Sequence, residues 1–184
     1  SWNRGIDRLV EVAQILQTQE RNVVLFVVAG EMMLSAGLTG RLGIKGEGVR
    51  DLSDYARLKG VSDMFLFLGH VDNPECVLAG CDLLAKPTRE SNPWGRDILE
   101  AMALGRPVIS IGTYDIFVKN DQTGILLKDY NAEEFAQKIS DLAISPKKVR
   151  QMGLCARQVV ADKCNGTKRA GELTEVWLET ASKK

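Results

Sequence analysis

The stretch RESNPWGRDILEAMALGRPVIS, residues 89–110, carries the signals that decide the fold. Asn92 is a favoured N-cap residue and Pro93 suits the first position of a helix, so we predict a helix over residues 92–104. Gly105 supplies a left-handed residue after that helix, and the proline two positions later prevents its continuation. The helix therefore joins one strand to the next, which is the repeating unit of an α/β fold.

Strand-like and helical patterns alternate along the rest of the chain. Short, nearly continuous apolar runs are typical of strands covered on both faces, and they occur at residues 22–30, 64–70, 82–88, 107–112 and 124–128. Helical spacing predicts helices at residues 5–20, 49–60, 74–80, 132–143, 146–162 and 166–181. Residues 34–48 are rich in glycine and are expected to form a loop. This order favours an α/β fold with a Rossmann-like, doubly wound parallel sheet and helices on both faces.

The length indicates the domain organisation. The 184 residues are enough for one domain with a hydrophobic core, so we expect a single domain over residues 1–184. The chain opens directly on a helix, although a strand should precede the helix of a βαβ unit. We therefore expect this sequence to be a fragment of a longer, two-domain protein.

The composition restricts the partners. Lys+Arg and Asp+Glu balance at 24 each, so no global positive field draws the protein to nucleic acid or to an anionic membrane. The sequence has no apolar run of about eighteen residues and no apolar signal-peptide core at its start. The four cysteines form no CxxC pair, and one histidine does not complete a zinc set. We expect a cytoplasmic protein without metal or nucleic acid, with peripheral membrane contact only through the parent protein.

The first turn of the predicted helix at residues 92–104 is a candidate anion site. This helix follows a strand, so it starts at the carboxyl edge of the sheet, where open α/β sheets bind ligands. The N–H groups of Trp94, Gly95 and Arg96 are expected to be free donors at the positive end of the helix dipole. Helical side chains lean toward the N-terminus, so Glu100 points back over this turn. A phosphate with a carboxylate that accepts bonds from ribose hydroxyls would form a nucleotide site.

A simpler interpretation of the same residues stays open. Arg96 and Glu100 are four residues apart and can form a surface ion pair worth about 0.2–0.3 kcal/mol. Asn-Pro is also an ordinary helix start. Two other side chains receive structural interpretations: Lys86 is expected to point outward, because its neutralisation inside the protein would be costly, and Trp177 is expected to pack.

The segment PTRESNPWGRDILEAMALGRPVIS, residues 87–110, resembles the signature of retaining GT-B glycosyltransferases, known as family 4 or glycosyl transferases group 1. The runs FLGHV, AGCDLLAKPT and NDQTGILLK, at residues 67–71, 79–88 and 120–128, are similar to other parts of the family pattern. The resemblance covers nearly the whole chain. It implies the C-terminal, Rossmann-like half of a GT-B fold, which holds the activated sugar donor.

The resemblance also implies residue roles and a donor class. The donor would be a UDP-, GDP- or ADP-sugar bound without a metal, with Glu100 on the ribose hydroxyls and Val71 beside the base through its backbone. The segment along the sugar and diphosphate would consist of Pro93, Trp94, Gly95, Arg96 and Asp97.

The catalytic candidates are Asn92 and Arg4, and each departs from the family pattern or has an alternative. The family has an acidic residue eight positions before Glu100, where this chain has Asn92, which can hydrogen-bond a sugar hydroxyl but carries no charge. Glu90 is the alternative at this place. Arg4 corresponds to a basic residue that reaches the diphosphate. Since a cation is disfavoured at a helix start, a nearby anion would explain Arg4, and an ordinary solvated charge is the alternative.

These features predict the donor-binding domain of a retaining glycosyltransferase of the hexosyltransferase class, in carbohydrate biosynthesis. The acceptor would bind to a missing N-terminal domain of the same chain, and the fragment alone is expected to be inactive. Two alternatives are a GT-B nucleotide-sugar epimerase and a non-catalytic module that binds sugar nucleotides, in which Asn92 marks a degenerate site.

Overall fold

The computed structural model describes residues 2–19, 24–34, 36–44, 48–90 and 95–182. Within these ranges the strands are β1 (Phe26–Ala29), β2 (Phe65–Gly69), β3 (Leu84–Lys86), β4 (Val108–Ile111) and β5 (Gly124–Leu127). The helices are α1 (Ile6–Thr18), α2 (Ala36–Arg41), α3 (Leu52–Leu58), α4 (Pro74–Gly80), α5 (Arg96–Ala103), α6 (Ala132–Ala143), α7 (Pro146–Lys163) and α8 (Gly166–Ala181). The alternation of strands and helices is confirmed.

All strand pairs in the described ranges are parallel. β1 pairs with β2, and β4 lies between β3 and β5, so the strands form a two-stranded and a three-stranded sheet. Parallel neighbours need crossover connections, which the helices provide. Apolar side chains of α1 and α6 share one core with side chains from both sheets. The predicted α/β class with parallel strands is therefore confirmed.

β4 shows why its sequence is apolar without interruption. All of its residues are buried, and its side chains alternate between two cores. Ile109 and Ile111 belong to the core that contains α1 and α6, whereas Val108 packs with α5 and α7. Helices thus cover both faces of this sheet, and the carboxyl ends of β3 and β4 lie at one edge.

The start of α5 corrects one prediction. α5 begins at Arg96, three residues later than predicted, and its N-cap is Gly95, with φ 151° and ψ 170°. Asn92 and Pro93, like Trp94, lie outside the described residues. The carboxylate of Asp97 accepts the N–H of Ile98 inside the first turn, so an N-terminal amide is satisfied without an asparagine cap.

The end of α5 agrees with the prediction. Gly105 has φ 71° and donates its N–H to Met102 O, while the N–H of Arg106 donates to Ala101 O. These two bonds form the Schellman motif that favours glycine after a helix.

Two other predictions were wrong. α2 lies in the predicted loop, because glycine lowers helix propensity by only about 1 kcal/mol per residue and does not forbid a short helix. Trp177 is 64% exposed, so the expected packing of this side chain was wrong, and α8 has no buried residue.

Candidate functional site

The segment that contains Arg4 is held against the loop after β3. The N–H of Arg89 donates to Asn3 O at 2.9 Å, and the Thr88 hydroxyl donates to the same oxygen at 3.0 Å. The Arg8 guanidinium donates in return to Thr88 O at 2.8 Å. Arg4 therefore lies at the carboxyl edge of the three-stranded sheet, with an exposed side chain.

Gly5 allows this close approach. Its φ is 68°, and a Cβ at this position would lie 2.0 Å from Pro87 O. A side chain would collide with backbone and would also strain the left-handed conformation. The glycine after Arg4 is therefore required by the contact between the two segments.

A buried ion pair joins the same two segments. Asp7, in the first turn of α1, is 7% exposed. Its carboxylate accepts two bonds from Arg89, at 2.8 Å from Nη1 and 2.5 Å from Nη2. The fork of an arginine matches the two oxygens of a carboxylate, so this pair fixes orientation as well as distance.

Glu90 is bound within this arrangement. Asn3 Nδ2 donates to Glu90 Oε1 at 2.5 Å, and the N–H of Glu90 donates to Thr88 Oγ1 at 3.2 Å. The alternative acidic residue thus lies beside the Arg4 segment. Its role at the sugar stays a prediction.

Arg8 and Tyr130 support this clamp, the contact between residues 3–8 and 87–90, from the side of α6. The Arg8 guanidinium lies 4.1 Å from the centre of the Tyr130 ring, and the hydroxyl of Tyr130 donates to Glu11 Oε2 at 2.9 Å. Burial and then the bond to Glu11 raise the pKa of Tyr130 well above its ordinary value. Burial, followed by the nearby Arg89, lowers the pKa of Arg8.

Lys86 is paired and largely covered, so the prediction of an outward, solvated side chain was wrong. Its ammonium lies 2.9 Å from Asp97 Oδ1, and its side chain is 15% exposed. The opposite charge offsets the desolvation that argued against this orientation. The end of β3 and the start of α5 are thereby connected.

Gly95 lies against this ion pair. A Cβ on Gly95 would stand 2.9 Å from Asp97 Oδ1 and 3.2 Å from Lys86 Nζ. The first helical N–H groups are those of Arg96 and Asp97, which have no partner within a helix. Arg96 was predicted as such a donor, whereas Trp94 lies outside the described residues.

Glu100 reaches the first turn of α5, in the direction predicted. Its Oε1 lies 3.4 Å from Arg96 Nε, and the two side chains are 44% and 92% exposed. The simple surface pair is thus present. Because such an exposed pair is weak, it leaves the carboxylate available to a ligand.

The predicted site residues fall into three groups. Arg4 and Glu90 lie on the clamp between α1 and the loop after β3, and the second group is on α5: Gly95, Arg96, Asp97 and Glu100. Val71 is half-buried and follows the carboxyl end of β2, in the other sheet. Asn92, Pro93 and Trp94 lie outside the described residues.

Sequence reasoning missed the buried pair of Asp7 and Arg89. A signal existed, because Asp7 interrupts the apolar stripe of α1 one turn before Val10, and a charge on a buried face needs a partner. Its partner could not be predicted from the sequence, because Arg89 lies 82 residues away in the chain.

The described ranges contain neither a cluster of metal ligands nor a membrane-spanning helix. No group of three or more His, Cys, Asp and Glu side chains is placed to hold a metal ion there. In the same ranges, no helix combines the length and the apolar character needed to cross a membrane.

Comparisons with known proteins found a matching family model and several relatives of this chain. The sequence model described as "Glycosyl transferases group 1" matches residues 1–159. The chain is 28% identical over 151 residues to the D-inositol 3-phosphate glycosyltransferase of Actinosynnema mirum, covering 75% of this chain and 36% of that protein. It is 24% identical over 179 residues to the poly(ribitol-phosphate) alpha-N-acetylglucosaminyltransferase of Staphylococcus aureus, covering 95% of this chain and 32% of that protein. The chain thus spans about a third of these relatives.

Solved structures show the same fold. The Anabaena HepE structure in complex with UDP-glucose has a TM-score of 0.71 at 22% identity, over 95% of this chain and 46% of that one. A point mutant of S. aureus TarM, in complex with Fondaparinux, alpha-GlcNAc-glycerol and UDP, has a TM-score of 0.74 at 22% identity, over 96% of this chain and 32% of that one. Sucrose-phosphate synthase from Thermosynechococcus elongatus has a TM-score of 0.75 at 21% identity, over 100% of this chain and 44% of that one.

Proposed function

We propose a function from one premise: the chain belongs to the glycosyl transferases group 1 family. In this proposal the chain is the donor-binding part of a retaining glycosyltransferase, which transfers a sugar from a nucleoside-diphosphate sugar to an acceptor. The observation that carries the proposal is the family match over residues 1–159, which include every residue of the candidate site.

The donor in this proposal is a UDP-sugar. Two structures similar to this chain contain UDP or UDP-glucose, and this supports uridine over guanosine or adenosine as the nucleoside. The proposed placement puts the diphosphate at the first turn of α5, near Gly95 and the N–H groups of Arg96 and Asp97. Amides at a helix N-terminus favour an anion through their hydrogen bonds and through the helix dipole.

Other residues hold the rest of the donor. Glu100 accepts bonds from the ribose hydroxyls, Val71 lies beside the base through its backbone, and the sugar lies toward Asn92 and Glu90. Arg4 reaches the diphosphate from the clamp, where its exposed side chain is attached to a fixed backbone. A cation at this place stabilises the negative charge that develops on the leaving diphosphate.

The transfer step follows from this placement. The bond between the anomeric carbon of the sugar and the β-phosphate oxygen breaks, and UDP leaves with the electron pair. An acceptor hydroxyl oxygen forms the new bond to that carbon, on the face from which UDP left, and its proton passes to the departing phosphate. No metal has a role in this proposal, because cationic side chains and amides compensate the charge.

In this proposal the acceptor site lies in a part of the longer protein that corresponds to the region of the relatives that this chain does not match. The chain spans about a third of the curated relatives, so we propose that it works within a longer protein whose other domain binds the acceptor.

Calorimetric titration of the protein with UDP, UDP-glucose, UDP-N-acetylglucosamine and GDP-mannose tests the proposal. We expect saturable binding of UDP and of at least one UDP-sugar. If no nucleotide bound saturably, the proposed function would be wrong. Formation of an epimerised donor in the absence of any acceptor would support the epimerase alternative instead.

A further inference from the structure

We infer that the ion pair between Asp7 and Arg89 is a positioning device for Arg4, and this inference rests on the proposed function. In it, the pair sets the place of the Arg4 backbone relative to the loop after β3. The affinity for a diphosphate that Arg4 contacts then depends on Asp7 and Arg89, although neither of them touches the ligand.

The connection between the pair and Arg4 is short. Asp7 lies three residues after Arg4, and the two bonds from the Arg89 fork tie it to the loop. On the other side of Arg4, Asn3 O accepts the N–H of Arg89 at 2.9 Å. Arg89 therefore holds the chain both before and after Arg4, through its backbone and through its side chain.

Gly5 further restricts the position of the Arg4 backbone. Its Cα lies so close to Pro87 that a Cβ would stand 2.0 Å from the carbonyl oxygen. The backbone of Arg4 is thus fixed between two attached neighbours, while its guanidinium extends into solvent from the carboxyl edge of the sheet. The backbone of Arg4 is held in place while its charged group is accessible, so Arg4 is suited to contact an anion that binds at this edge of the sheet.

Stability alone does not explain a charge pair at this position. Burial of a carboxylate and a guanidinium is unfavourable, and apolar residues of similar volume often serve stability as well or better. What a bidentate pair adds is a defined geometry. Asp7 is 7% exposed and both of its oxygens are used, so the position of the α1 start relative to the loop is specified closely.

A double-mutant cycle on UDP affinity tests the inference. Arg89→Gln is expected to weaken UDP binding by about 5- to 10-fold, because the Arg4 segment loses its fixed position. In an Arg4→Gln background, where the contact is already lost, the same change should alter the affinity by less than about 2-fold. Arg89→Lys, which keeps the charge but not the fork, should give an intermediate loss.

Two further variants serve as a substitute for Arg89→Gln and as a control. Asp7→Asn, which preserves the shape of the side chain, enters the same cycle if Arg89→Gln does not fold. Lys148→Gln breaks the pair between Lys148 and Asp121, 2.7 Å apart and at the amino edge of the sheet, and should leave UDP affinity unchanged.

The failures of the two proposals are distinguishable. If the unmodified protein binds UDP and Arg89→Gln costs the same factor with and without Arg4, the pair does not act through Arg4 and the inference is overturned. If the unmodified protein binds neither UDP nor any other titrated nucleotide, the proposed function is wrong, and the inference that rests on it is wrong as well.

Discussion

Lys86 Nζ lies 2.9 Å from Asp97 Oδ1, and this contact joins the last residue of β3 to the second residue of α5. Asp97 also accepts the N–H of Ile98, so one carboxylate closes the loop between the two elements and satisfies the helix start. The loop that it closes contains the proposed sugar-binding residues. The base of this loop is therefore held by a charge pair.

Lys86→Met is expected to lower the free energy of unfolding by about 1–3 kcal/mol, because Asp97 would keep its charge without the ammonium. Urea unfolding followed by circular dichroism measures this. Lys148→Met is the matched control: its ion pair is more exposed, with side chains 49% and 60% accessible, so about 0–1 kcal/mol is expected. Equal losses in the two variants would contradict a special role for the Lys86 pair.

Gly5→Ala is expected to destabilise the protein by at least about 2 kcal/mol more than Gly60→Ala. Both glycines have a left-handed φ, 68° and 73°, so alanine adds similar backbone strain at each. Only at Gly5 does the new methyl meet a backbone oxygen, whereas no atom lies within 4 Å of it at Gly60. Urea midpoints of the two variants, compared at equal m-values, give the difference. Similar midpoints would mean that the clamp relaxes freely around Gly5.

Glu100→Ala is expected to weaken UDP binding by about 1–3 kcal/mol, since two ribose hydroxyls would lose their charged acceptor. Its effect on unfolding should stay below about 0.5 kcal/mol, because its ion pair with Arg96 is exposed. Calorimetry measures the UDP affinity, and urea unfolding measures the free energy of unfolding. Glu175→Ala, on the exposed face of α8, is the control and should leave the affinity as it was. An unchanged affinity in Glu100→Ala would remove this residue from the site.

Tyr130→Phe is expected to make the protein less sensitive to alkaline pH. Burial raises the pKa of Tyr130 in the folded state, so its contribution to stability is complete below its ordinary value of 10.0. Above that pH the unfolded chain loses the phenol proton while the folded chain keeps it. The free energy of unfolding then falls by about 1.4 kcal/mol per pH unit from this group.

Urea unfolding at pH 8 and pH 11 measures the alkaline effect. The wild type should lose about 1.4 kcal/mol more than Tyr130→Phe between these two values. Because the other titrating groups are common to both proteins, their effects cancel in the difference. Parallel pH profiles would show that Tyr130 ionises alike in the folded and unfolded chains.

Helix starts were predictable where the capping group is local. α4 begins at Pro74, and α6 is capped by Asn131, whose Oδ1 accepts the N–H of Glu134 at 2.8 Å. α8 is capped in the same way by Asn165. These signals lie within four residues of the helices that they start, so their sequences specify them directly. α5 begins elsewhere than predicted: its N-cap is Gly95, and Asp97 in its first turn pairs with Lys86, which lies eleven residues earlier in the chain.

The amino-acid sequence alone determined the order of strands and helices apart from α2, the α/β class and the family, because apolar spacing and motif residues are properties of neighbouring positions. Tertiary structure decided which charges are paired: Lys86 with Asp97, and Asp7 with Arg89. It also decided that Arg4 stands beside the loop after β3. Pairing across 82 residues depends on which segments the parallel sheet brings to one edge, and no local rule of hydrogen bonding specifies that.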